Sequence, residues 1–358
     1  MSDSPGPASE PPPARGFPAA SWPTGDAPAA VTDAVAALAE RCLGDPDRHG
    51  HHLALVVVHR GRLVSEVYGP TAGPDTTLVS WSMAKSVTHA LVGICVRLGL
   101  LDHQAPAPVA AWAGDGRAAI TLDHLLGMCD GLAFREEYVD AGRSDVIDML
   151  FGPGAADVAA FAAARPQAHA PGAVWNYSSG TTNIVAAVVG DAVAASAGAR
   201  TPADREAAMR AFMQRELFEP LGMTSAEPRF DGAGTFIGSS FLYATARDFA
   251  RFGYLYLCDG AWDGRRVLPV GWCDHARTPP PAPVPADEEF GYGRHWWLHD
   301  RVGVPGGYGA HGYEGQYVVV APDRDLVVVR LGKSSAEQRG ALLPLLTAVV
   351  DACPPVPR

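Results

Sequence analysis

The sequence SWSMAKSVTHALVGICVRLGLL, from Ser80 to Leu101, joins an amphipathic helix to a candidate nucleophile, and we build the expected fold around it. Its apolar residues recur at steps of three and four, which is the buried stripe of a helix: Val87, Leu91, Ile94 and Leu98. Ser80 or Ser82 can cap the start of this helix, and Gly99 marks its end. We therefore predict a core helix that begins near Ser82.

Ser82 and Lys85 form an S-x-x-K pattern, one helical turn apart, so the amine lies on the same side as the hydroxyl. A serine needs a neighbour to take its proton, and a lysine does so only when its pKa is lowered. Of the 28 Lys and Arg residues, only Lys85 and Lys333 are lysines. Arginine stays protonated and cannot act as a base. The pattern predicts a nucleophile and its base; a capped helix with a snorkelling lysine is the alternative.

The composition limits the class of partner. The chain has 358 residues, 47% hydrophobic and 19% charged, with a net charge of −11. An acidic chain is repelled by nucleic acid and by anionic membranes, so we expect a small-molecule substrate. The N-terminus lacks the basic and apolar regions of a signal peptide, which predicts a cytoplasmic protein. The six cysteines form no C-x-x-C pair and predict neither a disulfide framework nor a zinc site.

Strand patterns at both ends of the chain predict an α+β fold. Two hairpins are expected, one around Arg60-Gly61 and one around residues 322–325. Mostly helical patterns lie between them, so one antiparallel sheet is built from both termini and a helical lobe, roughly residues 82–230, is inserted. We expect a flexible Pro/Ala-rich tail over residues 1–30 and one domain over 31–358. The cleft between sheet and lobe is the default site.

Two further segments have alternative interpretations. Residues 49–52 contain three histidines, but no carboxylate lies beside them, so we interpret them as a solvated loop and predict no metal site. Residues 134–148 are charged and polar. This second segment is either a solvated face or a loop that overhangs the site.

Three separated stretches resemble the penicillin-recognising serine hydrolases, in the branch of class C β-lactamases, family VIII esterases and 6-aminohexanoate-dimer hydrolases. The first is Ser-Met-Ala-Lys at residues 82–85, and the second is Tyr-Ser-Ser at 177–179, in the place of a Y-x-N motif. The third is Ala-His-Gly at 310–312, in the place of K-T-G, followed by Gly-Gln-Tyr at 315–317. The resemblance extends from about residue 35 to the C-terminus and implies a β-lactamase/transpeptidase-like fold.

The resemblance also implies roles for individual residues. Ser82 would be the acylated nucleophile, and Lys85 and Tyr177 would share the general-base and acid roles. A tyrosine held beside a lysine ammonium is expected to have a lowered pKa. The backbone N–H groups of Ser82 and Tyr313 would form the oxyanion hole. The implied substrate-binding residues are Ser179, His311, Gly312 and Glu314.

Departures from the family pattern bear on the substrate. Ser179 replaces the Asn that helps to hold a substrate amide, and Ala310 replaces the Lys that pairs with a β-lactam carboxylate. His311 could donate a hydrogen bond there but would be only a weak cation. Glu314 would either favour a substrate amine or lie as a rim charge.

The GYEGQ and SWSMAKS segments favour the 6-aminohexanoate-dimer hydrolase branch. We therefore expect a cofactor-free serine hydrolase, monomeric or homodimeric, that cleaves small esters or linear amides through an acyl-enzyme. The alternatives are a β-lactamase or D-amino-acid peptidase, and a sensor or binding protein that does not turn over.

Overall fold

The computed structural model of the protein describes residues 16–138 and 144–356. Within these residues the strands are β1 His51–His59, β2 Arg62–Tyr68, β3 Leu78–Val79, β4 Glu227–Pro228, β5 Leu242–Ala244, β6 Ala261–Trp262, β7 Arg265–Arg266, β8 Gly291–Tyr292, β9 Trp297–Leu298, β10 Tyr308–Gly312, β11 Gln316–Ala321 and β12 Leu326–Lys333. The α-helices are α1 Ala29–Gly44, α2 Pro46–His49, α3 Met83–Arg97, α4 Leu122–Leu126, α5 Asp145–Phe151, α6 Val158–Ala163, α7 Ser179–Ala197, α8 Pro202–Met213, α9 Glu219–Leu221, α10 Ala246–Leu257, α11 Trp272–Arg277 and α12 Ala336–Asp351. A π-helical turn, Gln214–Phe218, links α8 to α9.

The main sheet has seven antiparallel strands in the order β2-β1-β12-β11-β10-β9-β8. β1 pairs with β12, with Val56 opposite Val329, so the first and last strand-forming parts of the chain meet inside the sheet, next to its central strand β11. This arrangement confirms the predicted α+β fold with an antiparallel sheet built from both termini. The β1–β2 hairpin turns through Arg60 and Gly61, whose φ angles are +51° and +72°. Two left-handed residues match the twist of a two-residue hairpin.

The sheet is buried on both faces, which explains the unbroken apolar run of β1. Ala54, Val56 and Val58 face the core of the helical lobe. Leu55 and Val57 face a second core, under α1 and α12. A strand buried on both faces cannot show hydrophobic alternation, because each of its side chains leaves water.

The helical lobe packs around α3 and α7. Within the described residues, α7 is long and apolar enough to cross a membrane, but most of it is buried inside the protein, as in a core helix. The six cysteines are all buried. Of the charged segment at 134–148, residues 139–143 lie outside the described residues.

The N-terminal region differs from the expected flexible tail. Residues 1–15 lie outside the described residues, but residues 16–28 pack against the sheet and α10. The Trp22 side chain is 6% exposed and its Nε1–H donates to the Arg247 carbonyl at 3.2 Å. The Leu63 N–H donates to the Pro23 carbonyl at 2.8 Å. The prediction of a flexible tail over residues 1–30 is therefore wrong for its second half. Phe17 and Trp22 pack against the main core, although most of the segment is rich in Pro and Ala.

Candidate active site

Ser82 lies at the N-terminus of α3 with its hydroxyl free of helix capping. It occupies the N-cap position, yet its side chain makes no capping hydrogen bond. The preceding residue, Trp81, has a φ of +44°, which is uncommon for a residue other than glycine and occurs at sites where the backbone is held in place by its surroundings. The positive end of the helix dipole lies beside the hydroxyl.

Lys85 is the centre of a buried polar network. Its Nζ donates to Ser82 Oγ at 2.9 Å, to Ser179 Oγ at 2.9 Å and to the Ser239 carbonyl at 3.1 Å. Burial lowers the pKa of Lys85 to about 8, although the negative charge of Glu136 acts in the opposite direction. A lysine with this pKa can accept a proton at a pH where an exposed lysine cannot.

Tyr177 lies beside the same amine, with Lys85 Nζ 4.9 Å from the centre of its ring. Burial raises the pKa of the Tyr177 hydroxyl and the charge of Glu136 raises it further, while a hydrogen bond with Ser82 lowers it. The expected lowering of this pKa is therefore wrong, because burial and the charge of Glu136 outweigh the hydrogen bond with Ser82. Tyr177 is a neutral phenol near neutral pH and can donate a proton.

Ser179 links Lys85 to a carboxylate that sequence reasoning missed. The Ser179 hydroxyl donates to Glu136 Oε1 at 2.5 Å, and its N–H donates to Glu136 Oε2 at 2.7 Å. Ser179 is fully buried and lines neither cavity at Ser82, so the structure does not place it where a substrate would contact it. No local signal distinguishes Glu136 from the adjacent Glu137, because the contact joins residues 43 positions apart.

The backbone N–H groups of Ser82 and Tyr313 are available as donors. Within the described residues, neither group donates to a protein acceptor. Gly312 lets β10 approach the start of α3, since a Cβ added there would lie 2.3 Å from the Ser80 carbonyl oxygen. Two unused N–H groups beside a nucleophile are the arrangement that stabilises a tetrahedral oxyanion.

His311 lines the site as a neutral imidazole. Its Nε2 shares a hydrogen bond of 2.8 Å with Nε2 of His299, and its ring stacks on Trp297. Burial lowers the pKa of His311 well below its usual value, and the neighbouring His299 and Arg339 lower it further. The lowered pKa agrees with the expectation that His311 would be at most a weak cation, since burial and the neighbouring cationic groups both disfavour its charged form.

Glu314 contacts Trp81, the residue before Ser82. Its Oε2 accepts a hydrogen bond from Trp81 Nε1 at 3.3 Å. The Glu314 side chain does not line either cavity at Ser82. The Glu314 carboxylate therefore contacts Trp81 and faces neither cavity.

Two cavities meet at Ser82. The larger has a volume of about 590 Å³ and is lined by Ser82, Glu136, Tyr138, Trp175, Tyr177, Glu288, Glu289, Phe290, Trp297, His311, Gly312, Tyr313, Tyr317, Ser335, Ala336 and Arg339. The smaller has a volume of about 110 Å³ and is lined by Trp81, Ser82, Tyr138, Ile147, Leu150, Phe151, Ser240 and Tyr313. The described residues contain no group of three or more His, Cys, Asp or Glu side chains arranged to hold a metal ion.

The chain matches the family model described as Beta-lactamase over residues 31–351. The chain belongs to the beta-lactamase family. A 6-aminohexanoate-dimer hydrolase from Paenarthrobacter ureafaciens is 25% identical over 303 residues, which cover 78% of this chain and 71% of that protein. These findings confirm the resemblance that the three sequence motifs indicated, and they support a hydrolase of this family.

Solved structures of the same fold include two from other bacteria. A Bacillus anthracis protein, provisionally named a 6-aminohexanoate-dimer hydrolase, aligns with a TM-score of 0.68 at 20% identity over 87% of this chain and 82% of that one. A penicillin-binding protein homologue from Caulobacter crescentus aligns with a TM-score of 0.64 at 17% identity over 92% of this chain and 99% of that one. At these identities the likeness establishes the fold.

Proposed function

We propose that the protein is a serine hydrolase that cleaves small carboxylic esters or linear amides through an acyl-enzyme on Ser82. The observation that carries this proposal is the buried Lys85 amine, 2.9 Å from Ser82 Oγ and with its pKa lowered to about 8. The 6-aminohexanoate-dimer hydrolase relative supports an activity on linear amides. We also propose a cytoplasmic, monomeric or homodimeric enzyme.

In the proposed acylation step, Ser82 Oγ bonds to the substrate carbonyl carbon while neutral Lys85 takes the hydroxyl proton. The carbonyl electron pair moves to the oxygen, where the N–H groups of Ser82 and Tyr313 stabilise the negative charge. When the intermediate collapses, the C–O or C–N bond breaks and its electron pair leaves with the oxygen or nitrogen. That atom takes the proton of the Tyr177 hydroxyl. The Lys85 ammonium then gives its proton to Tyr177, so both groups return to their neutral forms.

Deacylation repeats these transfers with water as the nucleophile. A water oxygen bonds to the acyl carbon, and its proton passes to the Lys85–Tyr177 pair. The bond between Ser82 Oγ and the acyl carbon then breaks, and the serine regains a proton. The carboxylic acid is released and the enzyme returns to its first state.

A β-lactamase or D-amino-acid peptidase activity is the second candidate. Ala310 and the neutral His311 supply no cation on β10, which argues against recognition of a carboxylate there. Arg339 nevertheless lines the larger cavity and offers a guanidinium to an anionic substrate. Turnover of nitrocefin at a rate comparable with that of simple esters would favour this candidate.

The test is intact-mass spectrometry on the wild type and on Ser82→Ala. We expect a fluorophosphonate to add its mass to the wild type only, and a p-nitrophenyl ester to be turned over by the wild type only. Loss of one hydroxyl at a cleft leaves the fold intact, so the two proteins should unfold at the same denaturant concentration. Activity that survives in Ser82→Ala would contradict the mechanism. A stoichiometric adduct that is never released would favour the non-turnover sensor.

A further inference from the structure

The two cavities at Ser82 differ in which catalytic groups they contain. Ser82, Tyr138 and Tyr313 line both, because the nucleophile lies at the junction. Tyr177 lines only the larger cavity. An acyl-transfer substrate places its carbonyl carbon at Ser82 and extends in two directions, one toward the leaving group and one along the acyl chain. The junction therefore divides a bound substrate into these two parts.

The position of Tyr177 identifies the part that enters each cavity. The leaving oxygen or nitrogen must lie within hydrogen-bond reach of the group that protonates it. Because Tyr177 faces only the larger cavity, the leaving group occupies that side. The acyl chain, on the other side of the carbonyl carbon, then enters the smaller cavity between Trp81 and Phe151.

The walls of the smaller cavity are apolar, and its described lining carries no charged side chain. Single exposed hydrophobic side chains are normal, whereas a contiguous cluster of large ones marks a binding surface. Four of the eight in the described residues line this cavity, with exposures of 38 to 62%: Tyr138, Ile147, Phe151 and Tyr313. The exposure of these lining residues supports the binding of an apolar group here.

The size of the cavity limits the length of the acyl chain. Aromatic contacts hold one wall in place, since Phe241 lies 5.8 Å from Trp81 and 6.1 Å from Phe151 between ring centres. A volume of about 110 Å³ holds three or four water-sized groups, at about 30 Å³ for each. A chain of about four carbons fills this space, and a longer one has to displace the wall.

We propose that the smaller cavity is the acyl-chain subsite and that it selects short, uncharged aliphatic acyl groups. This inference rests on the proposed function, because it assumes acylation of Ser82. An ammonium group at the end of the acyl chain would lose water without gaining a partner among the described lining residues, so charged acyl groups are disfavoured. Ile147, on α5, lines the smaller cavity and not the larger one, so a bulkier side chain there would narrow the subsite alone.

The experiment compares kcat/KM for p-nitrophenyl acetate, butanoate, hexanoate and decanoate, which share one leaving group. We expect the wild type to prefer butanoate, and to prefer p-nitrophenyl hexanoate over p-nitrophenyl 6-aminohexanoate by at least about tenfold. Ile147→Trp should fill the cavity and lower the butanoate-to-acetate ratio by about tenfold, the effect of one methylene in an apolar pocket. The matched control is Val270→Trp, because Val270 is 82% exposed and lines neither cavity.

Two results would overturn the subsite. One is an Ile147→Trp variant that folds normally and loses activity on all four esters by the same factor. The other is a wild type that hydrolyses the hexanoate and 6-aminohexanoate esters equally well. Failure of the proposed function is distinguishable from both, because the wild type would then turn over no ester and gain no fluorophosphonate mass on Ser82.

Discussion

Replacement of Glu136 by Gln should move the pH dependence of catalysis to lower pH. Hydrogen bonds of 2.9 and 2.5 Å link Lys85 Nζ to Glu136 Oε1 through Ser179 Oγ, so the two charges are no more than about 5.4 Å apart. At an effective dielectric constant of about 20, their attraction is about 3 kcal/mol. This energy corresponds to about 2 pKa units at 1.36 kcal/mol per unit. Solvent screening of the partly exposed Glu136 makes 1 to 2 units the expected shift.

The sign follows from the charge of each state. Glu136 favours the protonated form of Lys85, so its neutralisation lowers the pKa of the amine. The base is active only when neutral. In the wild type kcat/KM should therefore rise with pH through about 8. In Glu136→Gln the same rise should occur between about pH 6 and pH 7.

The assay is the pH profile of kcat/KM with a p-nitrophenyl ester, from below pH 5 to above pH 9. Glu137→Gln is the matched control, because it removes the same charge from an exposed neighbour. We expect its profile to follow the wild type. A Glu136→Gln profile that rises at the wild-type pH, or at a higher pH, would refute the electrostatic link between Glu136 and Lys85.

Two other substitutions probe the acid and the fold. Tyr177→Phe should lower kcat for an amide or alkyl ester by about 10²- to 10⁴-fold, because the leaving group loses its acid, while fluorophosphonate labelling continues because Lys85 still activates Ser82; steady-state kinetics and intact mass measure both. Asp123→Asn should destabilise the protein by about 3 kcal/mol in urea denaturation, because it leaves the nearly buried Arg294 without its carboxylate partner. Burial raises the pKa of Asp123, but hydrogen bonds from His275 and Arg294 outweigh it and hold that pKa below its usual value. The contribution of the Asp123 carboxylate to stability is present above pH about 4 and is lost as the pH falls. The free energy of unfolding of the variant should therefore decrease less steeply than that of the wild type as the pH falls below about 4.

The sequence predicted the elements that depend on local chemistry. The hairpin at Arg60-Gly61 follows from its turn residues and the helix that begins next to Ser82 from its apolar spacing, although Ser82 makes no capping hydrogen bond. Residues 291–298 form two short strands, β8 and β9, because the chain turns back through His295, which has a φ of +59°. An isolated non-glycine residue in the left-handed region leaves no signal in the sequence.

The polar surroundings of the site depend on contacts that no local pattern records. Lys85 Nζ donates hydrogen bonds to Ser179, which lies 94 residues later in the chain, and to the Ser239 carbonyl, which lies 154 residues later. Glu136 accepts hydrogen bonds from Ser179 in the same network. It lies in the charged segment 134–148, which the sequence alone indicated only as a loop or a solvated face. Motif spacing could indicate the residues of the site, but the signs of their pKa shifts required the burial of each group, which is a property of the packed fold.

Burial also supports the proposed division of roles between Lys85 and Tyr177, which the sequence left shared. Removal from water disfavours the charged form of each group, so it lowers the pKa of a lysine and raises that of a tyrosine. The pKa of Lys85 falls to about 8, and that of Tyr177 rises above its usual value. Two groups whose pKa values are shifted by one environment toward their neutral forms divide the work between them: the amine accepts a proton and the phenol donates one. Exposure of this pair to water would weaken both functions together, so the packing around Lys85 and Tyr177 is itself part of the proposed mechanism.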